Sequence, residues 1–455
     1  MRMIKIAMQI TISNRLLKNL QLEPQTSITI RAGMICVPSR LEVKRDFTRT
    51  FKLSPDLAQY LHVRAEHRTQ IRYDKDANLL QIGPYIGILV NGLPNRSEYD
   101  PKSLQAELIY LSEIGAKMPA EIFIFTPSCI DWPSKTTRGY VYKRITEHSG
   151  IWTESRYPLP DVVYDRIPSR AIEARENIKS ARRKLMSIED LKYFNPSFLN
   201  KWRVYKLLST NEDLSFYLPE TKLLTPLNLS DMLNNHKVVF IKPSNGSQGK
   251  GIVKARKDRD TGLIHGLFGC QRIRRITAAN ATEFLSRIAF ITKNKAYIIQ
   301  QGIDLIKYQN SPFDIRIIYQ KNGQGAWAIS KKFVRVAAPK SSITNLSSGG
   351  KTERSVVVLK QIFHNDKDLI AKKNKEMEKV CEMIANTLES NSESIFGELG
   401  LDIGIDKKGQ PWLIEVNSKP RKTTQTEMSK IIVRNTFSRP LEYAVYLAGF
   451  NNAKY

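Results

Sequence analysis

Two stretches of the 455-residue sequence carry residue types at spacings that could do chemistry. The first, Val238 to Lys254, reads VVFIKPSNGSQGKGIVK. An apolar run leads to Lys242 and Pro243, a small polar loop holds Gly246, Gly249 and Gly251, and β-branched residues resume at Ile252 and Val253. Glycine reaches positive φ and permits close backbone approach, and successive exposed N–H groups form a concavity that attracts an anion. A lysine at the rim adds a mobile charge suited to phosphate. The spacing is not that of a Walker A loop. Nor does Gly249-Lys250-Gly251 have the third glycine and following helix of a dinucleotide fingerprint. Two readings stay open for the loop alone, a phosphate-covering hairpin and an ordinary glycine-rich hairpin.

The second stretch, Leu401 to Asn417, reads LDIGIDKKGQPWLIEVN. A two-residue turn at Lys408-Gly409 would set Asp402 directly opposite Glu415, and strand alternation puts Asn417 on the Glu415 side. A one-residue slip would separate Asp402 from the other two. Opposed like charges in a sheet are unfavourable unless a cation lies between them. Mg²⁺, with Mn²⁺ as its nearest substitute, suits such oxygen donors and completes its shell with phosphate and water. The competing reading is an exposed acidic hairpin; Trp412, Leu413, Ile414 and Val416 make the flanking strand look buried and favour the metal.

The elements that must position these residues follow from the pattern along the chain. Residues 1 to about 80 alternate polar and apolar residues in short runs and predict a small β-rich domain. Residues 81–194 predict an α/β unit: GILV is a buried strand, Lys102 to Met118 a helix, and EIFIF and DVVYDR are further strands. Ile172 to Leu191 reads as a charged helical connector. Pro196-Ser197 signals a helix that carries Lys201 in its first turn beside Phe198, Trp202, Tyr205 and Leu208. Residues 218–300 hold the glycine loop, a helix around Thr282 to Ile288 and the strand Tyr297 to Gln300. Residues 301–440 hold strands at Asp314 to Gln320 and Gly325 to Arg335, a loop at Asn345 to Gly350, and an amphipathic helix over Leu369 to Leu388.

Length calls for two to four structural units, and 41% hydrophobic with 25% charged residues describes a globular protein. Lys and Arg number 71 against 44 Asp and Glu, a net charge of +27 that favours a polyanion such as nucleic acid, an anionic envelope polymer or an acidic peptide, with no choice among them from composition. A basic surface with no dedicated partner is the plainer reading. Cys36, Cys129, Cys270 and Cys381 lie far apart and the histidines form no ligand spacing, so neither a disulfide framework nor a zinc site is expected. No run of about 18 apolar residues would span a bilayer, and the first twenty residues read as a strand rather than a signal peptide. A cytoplasmic location follows as an expectation.

A glycine loop, a lysine on a separate helix and a hard-cation site together resemble the ATP-grasp superfamily over about Asn195 to Asn435. Within it the chain resembles the endospore coat-associated proteins of the YheC/YheD type, a likeness that reaches upstream through DVVYDR and GILVNG. The resemblance implies two α+β lobes gripping ATP, preceded by an α/β unit. It assigns Lys201 and Lys242 to the phosphates, and Asn245, Gly246, Ser247, Gln248, Gly249 and Gly251 to a loop covering the triphosphate. Gln300, Gln301 and Ile303 fall in the inter-lobe segment that reads adenine, with Asp304 near the ribose; many relatives carry glutamate where Gln301 stands. Arg316, in Asp314-Ile315-Arg316, matches an arginine that stabilises phosphoryl or acyl-phosphate oxygens. Asp402, Glu415 and Asn417 match the Mg²⁺ ligands, while Lys419 and Arg421 replace small residues and face an anionic acceptor or the surface. The implied activity is an ADP-forming carboxylate-amine ligase working through an acyl-phosphate, with spore-coat association. The alternatives are a coat component with an ATP-binding fold and no turnover, and a basic polyanion-binding protein. No Ser/His/Asp or Cys/His constellation is present, in keeping with chemistry that depends on positioning and charge neutralisation.

Overall fold

A computed structural model describes residues 8–23, 25–45, 51–64, 69–93, 103–146, 149–246, 249–269, 273–337, 350–424 and 429–450. The fold is mixed α and β, with four sheets of six, seven, six and six strands among the described residues. Two compact units emerge: residues 1–197 with 321–326 and 421–455, and residues 198–320 with 327–420.

In the first unit, β1 (Gln9–Ser13), β2 (Ser27–Ala32), β3 (Ile35–Lys44), β4 (Phe51–Leu53), β5 (Gln70–Asp74) and β6 (Leu79–Gly83) form a sheet in the order β4-β1-β3-β2-β6-β5. The second sheet contains β7 (Tyr85–Leu89), β8 (Glu121–Phe125), β9 (Ile130–Asp131), β10 (Thr136–Arg144), β11 (Gly150–Pro158), β12 (Val162–Asp165) and β13 (Lys192–Phe194). There β8, β7, β12 and β13 run parallel to one another, consistent with near-continuous apolar runs such as EIFIF that are buried on both faces. One hydrophobic cluster, including Ile12, Ile30, Ile82, Tyr85, Phe125 and Val163, runs through both sheets. The described residues beyond 420 group with this unit, although the ATP-grasp likeness runs on to Asn435. The helix Lys430–Leu447 sets Phe437 edge-on to Tyr110 of the helix Leu104–Gly115, ring centroids 4.7 Å apart.

The charged connector is two helices, Arg170–Glu173 and Glu176–Met186. It is less solvated than its composition suggests, because Arg182 reaches the fully buried Asp165 and also Glu173, at 3.1 and 3.0 Å.

In the second unit, β14 (Thr221–Leu223), β15 (Val239–Pro243), β16 (Val253–Lys257), β17 (Ile264–Phe268), β18 (Arg274–Ala278) and β19 (Tyr297–Gln301) form the sheet β14-β19-β15-β16-β17-β18. Its apolar face, with Val239, Ile241, Val253 and Ile299, packs under the helices Pro226–Asn235 and Ala281–Thr292. The other sheet has β20 (Lys307–Tyr308), β21 (Ser311–Lys321), β22 (Trp327–Val336), β23 (Lys351–Arg354), β24 (Glu398–Ile405) and β25 (Pro411–Asn417), with the path β23-β22-β21-β24-β25 and β20 beside β21. Phe313, Ile315, Ile317, Leu399, Leu401 and Ile403 bury their face of it against the helix Lys367–Ser390. Each such side chain contributes roughly 1.5–3 kcal/mol when fully buried. Alternation therefore turns Lys242 on β15, Asp314 and Arg316 on β21, and Asp402 on β24 to the opposite faces, and a one-residue slip would bury charge.

Two local expectations change. The helix begins at Lys201 rather than near Ser197, because Asn200 is the cap, its Oδ1 accepting from the Arg203 N–H at 3.0 Å. The β24–β25 connection is not a two-residue turn at Lys408-Gly409. Asp406 closes a longer loop, its Oδ1 accepting from the N–H groups of Lys408 and Gln410, each at 2.9 Å, while Gly409 takes φ +79°. A bulge between Asp402 and Ile403 then restores the pairing of Asp402 with Glu415. The Asn345 to Gly350 loop lies outside the described residues except for Gly350.

Candidate functional site

The candidate residues from Lys201 to Lys419 belong to the second unit, while Arg421 falls in the first. Lys201 is the first residue of its helix, and its Nζ donates to the Gly246 carbonyl at 2.8 Å and to Glu415 Oε1 at 3.0 Å. One ammonium thus ties the glycine loop to β25, and with them two of the separately identified motifs. Lys242 Nζ donates to Gln300 Oε1 at 2.6 Å. Burial pushes the Lys242 ammonium down to about 8, with the Lys201 charge acting in the same direction and Glu415 opposing it. Two cations whose charges act on each other, with Glu415 offsetting part of that repulsion, make a site that favours an added polyanion.

The loop needs its glycines. Gly249 and Gly251 have φ of +69° and +74°, and a β-carbon at Gly251 would stand 2.7 Å from the Tyr297 hydroxyl. Gly246 leaves no room either, since a β-carbon there would meet the Pro243 ring at 2.2 Å. Asn245 Oδ1 accepts from Asn200 Nδ2 at 2.9 Å, which fastens the loop to the helix cap. The hydroxyl of the buried Ser244 has no hydrogen-bond partner among the described residues. Ser247 and Gln248 lie outside the described residues.

The inter-lobe segment divides in two. The Gln300 side chain belongs with Lys242, its Nε2 also donating to Thr221 Oγ1 at 3.2 Å. Gln301 is occupied structurally, its Oε1 accepting from the Glu220 N–H at 3.1 Å. The Ile303 carbonyl accepts from the Leu305 N–H at 3.0 Å. Asp304 is not drawn in with the lysines: it pairs with Lys407 at 2.8 Å on the surface, and that hydrogen bond holds its carboxyl below the usual range.

On β21 and β24, Arg316 and Asp402 are opposed and paired through Arg316 Nε to Oδ1 and Nη2 to Oδ2. Sequence reasoning missed the fourth member of this cluster. Arg335 on β22 forks onto Asp314 at 2.7 and 2.8 Å and reaches Asp402 Oδ2 at 2.7 Å. Burial alone would push the Asp402 carboxyl up, but Arg316 and Arg335 overcome it and hold it below the usual carboxylate range. Burial likewise opposes the charge of Arg335, and Asp402 and Asp314 outweigh it, raising its pKa. No spacing in the sequence marks Arg335, which stands one residue from the end of a strand that also carries Ser330, Lys331 and Lys332.

Gly400 pairs with Asn417 beside this cluster; a β-carbon at Gly400 would come within 2.9 Å of Pro420 and 3.5 Å of Arg316 Nη1. The donor set fits a hard divalent cation in kind: Glu415, Asn417 and Asp402 offer oxygens at adjacent pairing positions. It fits least well at Asp402, whose two oxygens already accept guanidinium N–H groups. Among the described residues no cluster of three or more His, Cys, Asp or Glu side chains could hold a metal, so any such site depends on the Asn417 amide.

The endospore coat-associated protein YheD of Bacillus subtilis (strain 168) is 29% identical over 419 residues, covering 91% of this chain and 90% of YheD. YheC of the same organism is 24% identical over 363 residues, covering 76% and 94% of the two chains. Among solved structures, D-alanyl-alanine synthetase A from Vibrio cholerae O1 biovar eltor str. N16961 overlays with a TM-score of 0.46 at 14% identity, over 81% of this chain and 99% of that one. Residues 190–447 match the family described as YheC/D like ATP-grasp, and they include every candidate residue above. The chain belongs to the YheC/D-like ATP-grasp family and has the ATP-grasp fold.

Proposed function

We propose that the protein is a MgATP-dependent carboxylate-amine ligase that works through an acyl-phosphate and releases ADP. The observation that carries this reading is the Lys201 ammonium, bonded at once to the glycine-loop carbonyl of Gly246 and to Glu415. It stands where a triphosphate would meet both a phosphate-covering loop and a hard-cation ligand. In this reading Lys201 and Lys242 bind the phosphates, the Asn245 to Gly251 segment covers them, and Gln300, Gln301, Ile303 and Asp304 line the nucleoside side. Glu415 and Asn417, with Asp402 turning from its arginines, hold Mg²⁺. When bound, that ion neutralises phosphate charge and orients the γ-phosphate.

A substrate carboxylate oxygen attacks the γ-phosphorus, the bond to the β,γ-bridging oxygen breaks, and ADP leaves. Arg316 and Arg335 face the oxygens on which charge accumulates. An amine then attacks the acyl carbon, phosphate departs with the former carboxylate oxygen, and the amine loses its proton to solvent. The β-rich residues 1–80 and the α/β residues 81–194 are proposed as two parts of the first unit that share one core. By likeness to YheD and YheC we propose that the protein associates with the endospore coat.

ADP release from MgATP with a panel of carboxylates and amines tests the metal and phosphate assignment. Glu415→Gln and Asp402→Asn are each expected to lower turnover by about 10²-fold or more, as loss of a phosphoryl-transfer charge contact does. Undiminished turnover in both variants refutes the assignment.

A further inference from the structure

β22 carries a cation that nothing described in the chain neutralises. Lys332 faces the helix Lys367–Ser390, its Nζ donating to Asn374 Oδ1 at 2.5 Å. Alternation therefore points Lys331 to the opposite face, the face of Phe333 and Arg335. The Lys331 ammonium lies 5.1 Å from the Phe333 ring, and among the described residues it has no ion pair or hydrogen bond. It is half-buried, and burial pushes its pKa down with no carboxylate to oppose the shift. Arg354 on the edge strand β23 is paired directly with Phe333, so it shares this face. It is exposed and likewise makes no ion pair among the described residues. The neighbouring acid, Glu353, is paired with the buried Val334 and so belongs to the other face. Burying an ammonium without a carboxylate is unfavourable, and like charges on one sheet face repel. A multiply charged anion relieves both.

We propose that the substrate of this ligase is an acidic peptide segment lying across the β22–β23 face, with one carboxylate at Arg316 and Arg335 and a neighbouring one at Lys331 and Arg354. The proposal rests on the ligase reading above for the role of the first carboxylate. Lys331 and Arg335 are four residues apart, roughly 13 Å along a strand at about 3.3 Å per residue, with Arg354 diagonally between them. Same-side carboxylates of an extended acidic peptide recur at about half that spacing, so successive side chains reach successive cations. Carboxylate is favoured over phosphate because the arginines of this face already fork onto carboxylates, Arg335 on Asp314 and Arg316 on Asp402.

The test is fluorescence anisotropy of labelled hexaglutamate with the full chain, beside hexaglutamine and an oligothymidylate of equal charge. Wild type should bind hexaglutamate most tightly. The double variant Lys331→Gln/Arg354→Gln should bind it about tenfold or more weakly, and Lys331→Arg should retain binding, as charge-assisted contacts require. Unchanged hexaglutamate affinity in the double variant overturns the proposal. So does wild type that fails to prefer hexaglutamate over hexaglutamine, or that prefers the oligothymidylate. Calorimetric MgATP binding by the double variant checks that it is folded. Because anisotropy needs no turnover, failure here is distinguishable from failure of the ligase reading, which would show as absent MgATP binding or absent ADP release.

Discussion

Replacing Arg335 by methionine is expected to lower the stability of the second unit by roughly 3–5 kcal/mol, the effect of removing one partner from a buried ion pair. Arg335 is bonded to both Asp314 and Asp402, and the two acids are almost fully buried at 3% exposure each. Without it, both buried carboxylates lose the guanidinium that bridges them, and the charge between them is left less compensated. Arg335→Lys should recover only part of the loss, because an ammonium cannot fork onto two carboxylates. Asp314→Asn combined with Arg335→Met should recover more, since it removes one of the stranded charges. Chemical denaturation reads all three variants; a loss below about 1 kcal/mol for Arg335→Met would show the network to be marginal to the fold.

Lys242→Met is expected to weaken MgATP binding by roughly 10- to 150-fold, the equivalent of about 1.5–3 kcal/mol for a hydrogen bond to a charged group. Wild-type affinity should carry the signature of the same group. Its ammonium titrates near 8 in the free protein, so binding is strongest below that pH and weakens as pH rises through it. A bound polyanion raises the pKa again, so binding near pH 8 takes up protons, seen by calorimetry in buffers of different ionisation enthalpy. The stability consequence has the opposite sign. Because the folded value, about 8, lies below the ordinary 10.5, the unfolded chain binds more protons between them, and this group makes the unliganded protein more stable as pH rises across that interval. A Lys242→Met variant that binds MgATP as wild type does, with the same pH dependence, would remove Lys242 from the site.

Much of this was legible because alternation and burial act on the same residues. The apolar runs around Lys242, Arg316 and Asp402 determine which faces point inward, so the polar residues between them must share the other face. The pairing of Asp402 with Glu415 was reached through an incorrect turn. The Asp406 loop displaces the register by one residue, and the bulge after Asp402 displaces it back. Bulges leave no compositional mark, so only the buried alternation on both sides could have revealed it. Arg335 was not legible, because its partners Asp314 and Asp402 lie 21 and 67 positions away, and no spacing rule joins separate strands of a sheet. Asp304 shows the converse. It lies beside the inter-lobe segment in sequence, yet Lys407 holds it on the surface. The helix Lys430–Leu447 returns to the first unit because its apolar face packs against the helix Leu104–Gly115, a contact that separation along the chain conceals.

The central proposal is that ATP activates a carboxylate at Arg316 and Arg335. The most direct measurement is oxygen-isotope transfer from hexaglutamate labelled with ¹⁸O in its carboxylates, incubated with MgATP, the full chain and an amine. The expected result is ADP together with inorganic phosphate carrying one labelled oxygen per molecule, an atom that only an acyl-phosphate can deliver. Phosphate whose fourth oxygen comes from water, or no ADP at all, would contradict it.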